Sequence, residues 1–569
     1  MSSRVVVIGA VALGPKAASR YKRLMPDAEV VLIDQDSRIS YGGCGIPYFV
    51  SGEVNRIEDL QTTPYGTVRD AEFFKTHKGG INVLTGTKAI AIDRSAKSVS
   101  VKNLASGAVS DLYYDKLVLG MGSSAHLPPI PGVELAGIGP ATTLDQAESI
   151  RSAVSGGQIN NAVVIGGGFI GLEIAVALGD MWGIPTAVVE LAQHILPGFL
   201  SPALARMAVK DLKDNGVTVY DQEKVLCFEG ENGRVSKVVT DKRELPADLV
   251  IMAAGVRPNT EIATEAGLAC TERGLIIVDD RMRTSDPNIY AGGDCVSVIN
   301  QITGKPGWFP LGSMANRQGR VIGTNLAGGD AVFPGAVGAW GVKLFGLSAA
   351  GAGLTIDGAL REGYDAIVAH VEQIDRAHFY PGKSLMVLEL VVERPSRRIL
   401  GIQGLNANGD ALAARVNALA PLLAKKADVA DVSNLEVLYS PPFSAAMDII
   451  NMAGNVAENM LEGRNIPIGL DEFEALWASR DENEVFFIDT RVDRDAGPMV
   501  NEFAPRLVNI PQDEIAERLN EIPTDKPVVL ICNTGLRSFE AQLDLAGKGR
   551  KGNIRSVPGG WSSVKKMGI

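Results

Sequence analysis

The chain opens on RVVVIG (4–9), four consecutive apolar positions that run into a glycine. Apolar runs without polar alternation return at EVVLID (29–34), AVVIGGG (162–168), TAVVE (186–190), VFFID (485–489) and KPVVLIC (526–532). Such runs predict short strands covered on both faces, as in a parallel sheet. Pro15 to Leu24 predicts a helix after the first glycine turn, and the next strand ends on Asp34. The order repeats in AVVIGGGFIGLEIAVAL (162–178), a strand, glycine turn and helix, whose following strand ends on Glu190. NIYAGGDC (288–295) is a short strand leading into Gly292, Gly293 and Asp294, with helix-like sequence from near Leu311. Strands alternating with helices predict an α/β fold with Rossmann-like units.

The pattern changes twice. Between 331 and 462, glycine-rich strand-like segments (335–356, 385–392, 398–404) surround a helix-like stretch (410–426), and 451–463 predicts a closing helix. RNIPIG (464–469) predicts a linker, with Pro467 as a helix stop. A helix at 470–479, a strand at 485–489, a helix at 513–522 and a strand at 526–532 then predict a separate small α/β domain.

Composition narrows the class. At roughly 150 residues per domain, 569 residues predict three to four domains. With 46% apolar and 21% charged residues, a mainly disordered chain is excluded. Lys plus Arg is 55 against 66 for Asp plus Glu, so the net charge of −11 disfavours nucleic acid as a partner. Five cysteines without a CxxC pair, and five scattered histidines, make neither a disulfide framework nor a zinc pattern. The strongest membrane candidate, 162–179, carries four glycines in its turn and Glu173 at its centre, which argues against a span. The N-terminal apolar run leads into a glycine turn, not a cleavage site. The expectation is a soluble, cytoplasmic protein that needs no metal.

The turns carry the first chemistry. Gly9, Val11 and Gly14 with Asp34 fit a dinucleotide unit, in which glycines admit a pyrophosphate and the acid binds a ribose hydroxyl. Gly166, Gly168 and Gly171 stand in full GxGxxG register. Glu190 is placed to accept from a ribose 2′-hydroxyl and to repel a 2′-phosphate, which favours NADH over NADPH.

With two such units and the GGD turn, residues 1 to about 330 resemble the FAD- and NAD(P)H-dependent pyridine nucleotide-disulfide oxidoreductases. The resemblance implies that Gly9, Val11, Gly14, Asp34, Gly43, Gly122, Gly293 and Asp294 hold FAD. It implies NADH at Gly166, Gly168, Phe169, Ile170, Gly171, Glu173 and Glu190, with Phe169 covering the nicotinamide pocket and Glu173 orienting the ring. AAGVRPNT (253–260), with Gly255, marks a return to the FAD domain. CNTGLRS (532–538) resembles the C-x-x-G-x-R loop of single-domain rhodaneses through Cys532, Gly535 and Arg537, and VPGGW (557–561) matches their closing turn. The segment before Pro511 lacks the His-Ile-Pro-Gly stretch of many rhodaneses. The implied domains are FAD-binding at 1–122 and 254–330, NAD(H)-binding at 123–253, an α+β dimerisation domain at 331–463 and a rhodanese domain at 469–569.

Cys44 lies in SYGGCGIPYFVSG (40–52), and four residues on stands Tyr48, not a second cysteine. A lone cysteine here resembles the single-cysteine branch of coenzyme A disulfide reductases, NADH peroxidases and oxidases, and persulfide reductases. If a helix follows, its N-terminus is expected to lower the thiol pKa. Around Cys532, backbone N–H groups and Arg537 are expected to stabilise a thiolate and a persulfide. Cys227, Cys270 and Cys295 read as packing. Lys16, Arg20, Lys22 and Arg23 put charge on the first helix, and positions 16, 20 and 23 share a face. That face suits phosphates, and equally a solvated surface. In coenzyme A disulfide reductases this place binds the nucleotide phosphates, which implies coenzyme A binding at Arg20, Lys22 and Arg23. HFYPG (378–382) and LYSPPF (438–443) match two tyrosine motifs of that group, and imply that Tyr380 and Tyr439 reach the partner's cysteine in a homodimer. The expected function is NADH-dependent, FAD-mediated reduction of coenzyme A persulfide, polysulfide or coenzyme A disulfide through Cys44, with Cys532 handling persulfide. The alternative is a sulfurtransferase or sulfur carrier in which the flavin part regulates or serves as scaffold.

Overall fold

A computed structural model describes residues 3–550 and 553–569. The chain forms two compact units, Met1–Leu191 with Glu223–Gly338, and Ala192–Gln222 with Ala339–Ile569.

The first unit holds two parallel sheets. Arg4–Ile8 lies between Glu29–Ile33 and Lys116–Leu119, with Asn82–Leu84 and Ile289–Ala291 at the edges. The strand before the GGD turn thus joins the sheet of the first glycine turn, so both turns lie at the carboxyl ends of parallel strands in one sheet. In the second sheet Ala162–Ile165 pairs with Thr186–Val189 and Leu249–Met252, and Ile138–Gly139 follows. Val5, Val6 and Val7, and Val163 and Val164, are buried, as strands covered on both faces require. The expected helix after the first turn spans Leu13–Leu24, and the one after the second spans Phe169–Gly179.

The second unit holds a five-stranded antiparallel sheet. Its order is Trp340–Lys343, Ser348–Gly353, Ile399–Asn406, Leu385–Glu393 and Ala366–Ile374, so the last strand is an edge. Helices Gly409–Ala424 and Ile449–Leu461 pack on it. A parallel sheet follows, ordered Leu507–Asn509, Phe486–Asp489, Val528–Ile531 and Ile554–Ser556.

Two sequence expectations need correction. The helix expected at 513–522 is two short 3₁₀ turns, Gln512–Glu514 and Leu519–Glu521. Ile515 and Ile522 are buried in the core instead of lining a continuous helical face. The 464–469 segment is no free linker. Pro467 bridges to Ser556, Ile468 N–H donates to Ser556 O at 2.9 Å, and Gln542 Nε2 donates to Ile466 O at 3.1 Å. Glu372 on the edge strand accepts from Ser562 Oγ at 2.5 Å and Ser563 Oγ at 2.6 Å, and pairs with Lys566. His370 Nε2 lies 3.0 Å from Ser563 Oγ. These buried polar contacts fix the last helix, Gly560–Lys566, to the antiparallel sheet. No helix among the described residues is long and apolar enough to cross a membrane.

Candidate active site

The two glycine turns obey the same steric rules. Gly9 (φ +98°) and Gly166 (φ +110°) take a left-handed backbone, and a Cβ there would lie 2.1 Å from Gly120 O and 2.3 Å from Ala253 O. Gly14 and Gly171 let the helix close on its strand, since a Cβ would meet Gly9 O at 1.9 Å and Gly166 O at 2.0 Å. The middle position differs: a Cβ on Gly168 would meet nothing within 4 Å. That open ground at a helix N-terminus suits a pyrophosphate. Val11 takes the corresponding place in the first turn. Each acid braces its turn. Ala10 N–H donates to Asp34 Oδ2 at 2.6 Å, and Gly167 N–H donates to Glu190 Oε2 at 2.7 Å. The residues present therefore fit two dinucleotides. Phe169 and Ile170 are half-buried at the start of the second helix. Gly122 (φ +65°) and Gly255 (φ +98°) sit in turns with open space at Cβ. Gly293 N–H donates to Gln318 Oε1 at 2.7 Å, a contact with no signal in the sequence.

Cys44 lies in the 3₁₀ turn Gly43–Gly45, and the helix Ile46–Ser51 follows at once. The helix is anchored from outside: Trp182 Nε1 donates to Val50 O at 2.8 Å, and Arg151 Nη1 donates to Phe49 O at 3.0 Å. Cys44 is exposed by area, yet the protein crowding its sulfur pushes the thiol up, and the carboxylates of Glu173 and then Asp294 add to this. The expected lowering by the helix N-terminus is thus reversed in this protein environment. A six-residue helix offers at most a partial charge, against burial and two acidic side chains. Burial pushes Glu173 itself up to about 7, opposed by its hydrogen bond with Tyr48. Asp294 is also raised by burial, opposed by Ser123 Oγ, which donates to its Oδ2 at 2.9 Å. Cys44, Tyr48, Glu173 and Asp294 therefore form one interacting cluster. Tyr48 was readable only as the residue one helical turn after Cys44.

The basic helix divides. Lys16 and Arg23 are exposed. Arg20 Nε donates to Thr324 Oγ1 at 3.1 Å, and its stem packs on Gly323. Lys22 Nζ donates to Ala28 O at 2.6 Å and lies against Gly79, so its charge ties down the chain after the helix. Cys295 is fully buried, hydrogen-bonded to Gly292 O at 3.2 Å and pushed up to about 11 by burial, which suits packing.

In the second unit, Cys532 directly follows the strand Val528–Ile531 and precedes the helix Leu536–Gly547. Gly535 (φ +98°) turns the loop so that its N–H donates to Cys532 Sγ at 3.1 Å, and Ser538 Oγ donates at 3.6 Å. Arg537 is exposed, and the donors to that sulfur are Gly535 and Ser538 instead. Ala377 N–H donates to Pro441 O at 3.3 Å, which brings the turns of Tyr380 and Tyr439 together. Tyr380 is half-buried and Tyr439 exposed.

Two dinucleotide turns with a single cysteine between them define a flavoprotein reductase architecture. The chain belongs to the pyridine nucleotide-disulphide oxidoreductase family, whose model matches residues 3–319. Its dimerisation domain matches 341–449, and a rhodanese-like domain matches 472–567. It is an oxidoreductase of a family that binds FAD and NAD(P)H. It is 35% identical to a CoA-dependent NAD(P)H sulfur oxidoreductase of Pyrococcus abyssi, over 78% of this chain and 96% of that one. Among solved structures, an NAD-dependent persulfide reductase from A. fulgidus shares 38% identity at a TM-score of 0.92, covering 98% of this chain and 99% of that one. Reduced CoADR-RHD from Bacillus anthracis shares 29% identity at a TM-score of 0.90, covering 100% and 98%.

Proposed function

We propose that the protein uses NADH to reduce coenzyme A persulfide, polysulfide and coenzyme A disulfide, with Cys44 as the nucleophile. The observation that carries this reading is the gathering of Tyr48, Glu173 and Asp294 around a single accessible thiol. Gly9, Val11, Gly14, Asp34, Gly43, Gly122, Gly255, Gly293 and Asp294 would hold FAD, and Gly166, Gly168, Phe169, Ile170, Gly171 and Glu190 would hold NADH. Bound FAD supplies two-electron transfer between nicotinamide and sulfur. The Cys44 thiolate attacks a substrate sulfur, the substrate S–S bond breaks, and sulfide or a thiol leaves. Glu173, half-ionised near neutral pH, holds a proton beside the reacting sulfur. Tyr380 and Tyr439 act from the second subunit of a homodimer, where a phenol can protonate a leaving thiolate. Arg20, Lys22 and Arg23 give the coenzyme A end a positive field, with Arg23 the most available. Cys532 takes up sulfane sulfur in its own loop, with Arg537 contributing charge at the entrance. All five cysteines are free thiols, in keeping with a cytoplasmic location.

Anaerobic mixing with NADH tests the reading. Stoichiometric flavin bleaching followed by reoxidation with polysulfide supports the reductase. A purified protein without flavin that still transfers sulfur would support the carrier instead.

A further inference from the structure

Helix Gly409–Ala424 buries Leu412, Val416 and Leu419 against the antiparallel sheet, and with them a charged side chain, Arg415, which is 6% exposed. A guanidinium leaves water at a tolerable cost only where its N–H groups find acceptors. Here the acceptors come from four segments. Nε and Nη2 donate to the carboxylate of Asp448 at 3.4 and 2.6 Å. Nη1 donates to Ala411 O at 3.2 Å, one turn back on the same helix. Nη2 also donates to two backbone carbonyls, Asp375 O at 3.0 Å and Phe443 O at 3.1 Å.

Those two carbonyls stand at the bases of the two tyrosine-bearing turns. Asp375, itself buried, follows the edge strand Ala366–Ile374 and closes the turn that carries Tyr380. Its N–H donates to Ser384 O at 2.9 Å, and Ser384 N–H donates back to its Oδ1 at 3.0 Å. Phe443 ends the turn that carries Tyr439, which Ser444 Oγ closes by donating to Leu438 O at 2.6 Å. Asp448 caps the helix Ile449–Leu461, where its Oδ1 accepts from Ile450 N–H at 3.1 Å. One planar fork therefore ties both turns and the following helix to one point of the sheet's cover. An ammonium carries a similar charge without the fork, and cannot hold the same set of acceptors in the same directions.

We propose that Arg415 is a positioning residue: it sets Tyr380 and Tyr439 relative to one another, so that the two phenols meet the substrate sulfur as a pair. The proposal rests on the reading that both tyrosines act at the active cysteine of the other subunit. Arg415 itself touches neither substrate nor thiol, so its effect must pass through the phenols.

Anaerobic stopped-flow on the full-length flavoprotein, dimeric by sedimentation, tests this by separating the half-reactions. Arg415→Lys should slow flavin reoxidation by coenzyme A disulfide about tenfold, with KM for the disulfide and flavin reduction by NADH each within about twofold. The deciding readout is a mutant cycle against Tyr380→Phe combined with Tyr439→Phe. In that background Arg415→Lys should cost less than about twofold, because no phenol is left to place. A larger further loss there, no loss in the wild-type background, or equal slowing of both half-reactions overturns the positioning role. Asp448→Asn keeps a side chain that caps the helix while weakening the carboxylate that aims the fork. It should slow reoxidation at least about threefold and be equally silent without the phenols, which keeps the proposal open to refutation if Arg415→Lys fails to fold. Wild-type reoxidation in the double phenylalanine variant would overturn the reading of the tyrosines, and the role of Arg415 with it.

Discussion

The amide of Gly167 donates to Glu190 Oε2 at 2.7 Å, so the acid at the end of one strand holds the glycine turn at the end of its neighbour. The same carboxylate is thereby fixed beside the open ground over Gly168. Glu190 is only 9% exposed, which sharpens its effect on a second negative charge brought close.

Nucleotide choice follows from that placement. Glu190→Ala should lower the NADH-to-NADPH ratio of kcat/KM by about tenfold, or about 1.4 kcal/mol, and Glu190→Arg should lower it further. A wild-type protein that prefers NADPH would contradict the ribose argument.

Cys44→Ser should abolish NADH-dependent reduction of disulfides and persulfides while the flavin absorbance persists. A hydroxyl is a far weaker sulfur nucleophile than a thiolate at neutral pH. Turnover at the wild-type rate in this variant would refute the assignment.

Glu173 predicts two pH effects. Its negative charge raises the Cys44 thiol, so Glu173→Gln should shift the pH profile of Cys44 alkylation by iodoacetamide to lower pH. Its own folded pKa, about 7, lies above the ordinary glutamate value of 4.5, so the folded state binds the extra proton between those values. Stability contributed by this group is present below about 4.5 and declines as pH rises through 7. Urea midpoints should therefore fall less between pH 5 and 8, roughly the ends of that window, in Glu173→Gln than in wild type.

The basic helix should separate by residue. Arg23→Gln should raise KM for coenzyme A substrates several-fold, more at low salt, and affect inorganic polysulfide less. Lys22→Met should chiefly reduce stability, because its ammonium is bonded to Ala28 O. Equal effects of Arg23→Gln on both substrates would indicate a generic field.

Cys532→Ser should slow reduction of bulky persulfides and spare small disulfides, if sulfur passes from the rhodanese loop toward Cys44. Unchanged rates with every sulfane substrate would reject a relay. Gly535→Ala should reproduce part of the loss, since a Cβ would strain a φ of +98° and meet Gly559 N at 3.0 Å.

The sequence by itself determined the parts governed by local backbone sterics. Gly9, Gly14, Gly166 and Gly171 are glycines because a Cβ would strike a carbonyl, so their spacing reveals both turns. The apolar runs likewise named the buried parallel strands, since both faces of each had to be covered. Tertiary structure decided the rest. It set Glu173 and Asp294 around Cys44, from segments more than a hundred residues apart, and so reversed the expected direction of the thiol's pKa. It pinned Pro467 to Ser556, spent Lys22 on a carbonyl, turned Arg537 outward and broke the helix expected at 513–522. Periodicity and spacing report only what lies within a few turns along the chain. Burial, charge pairing and the partner of each polar atom depend on which distant segments pack together.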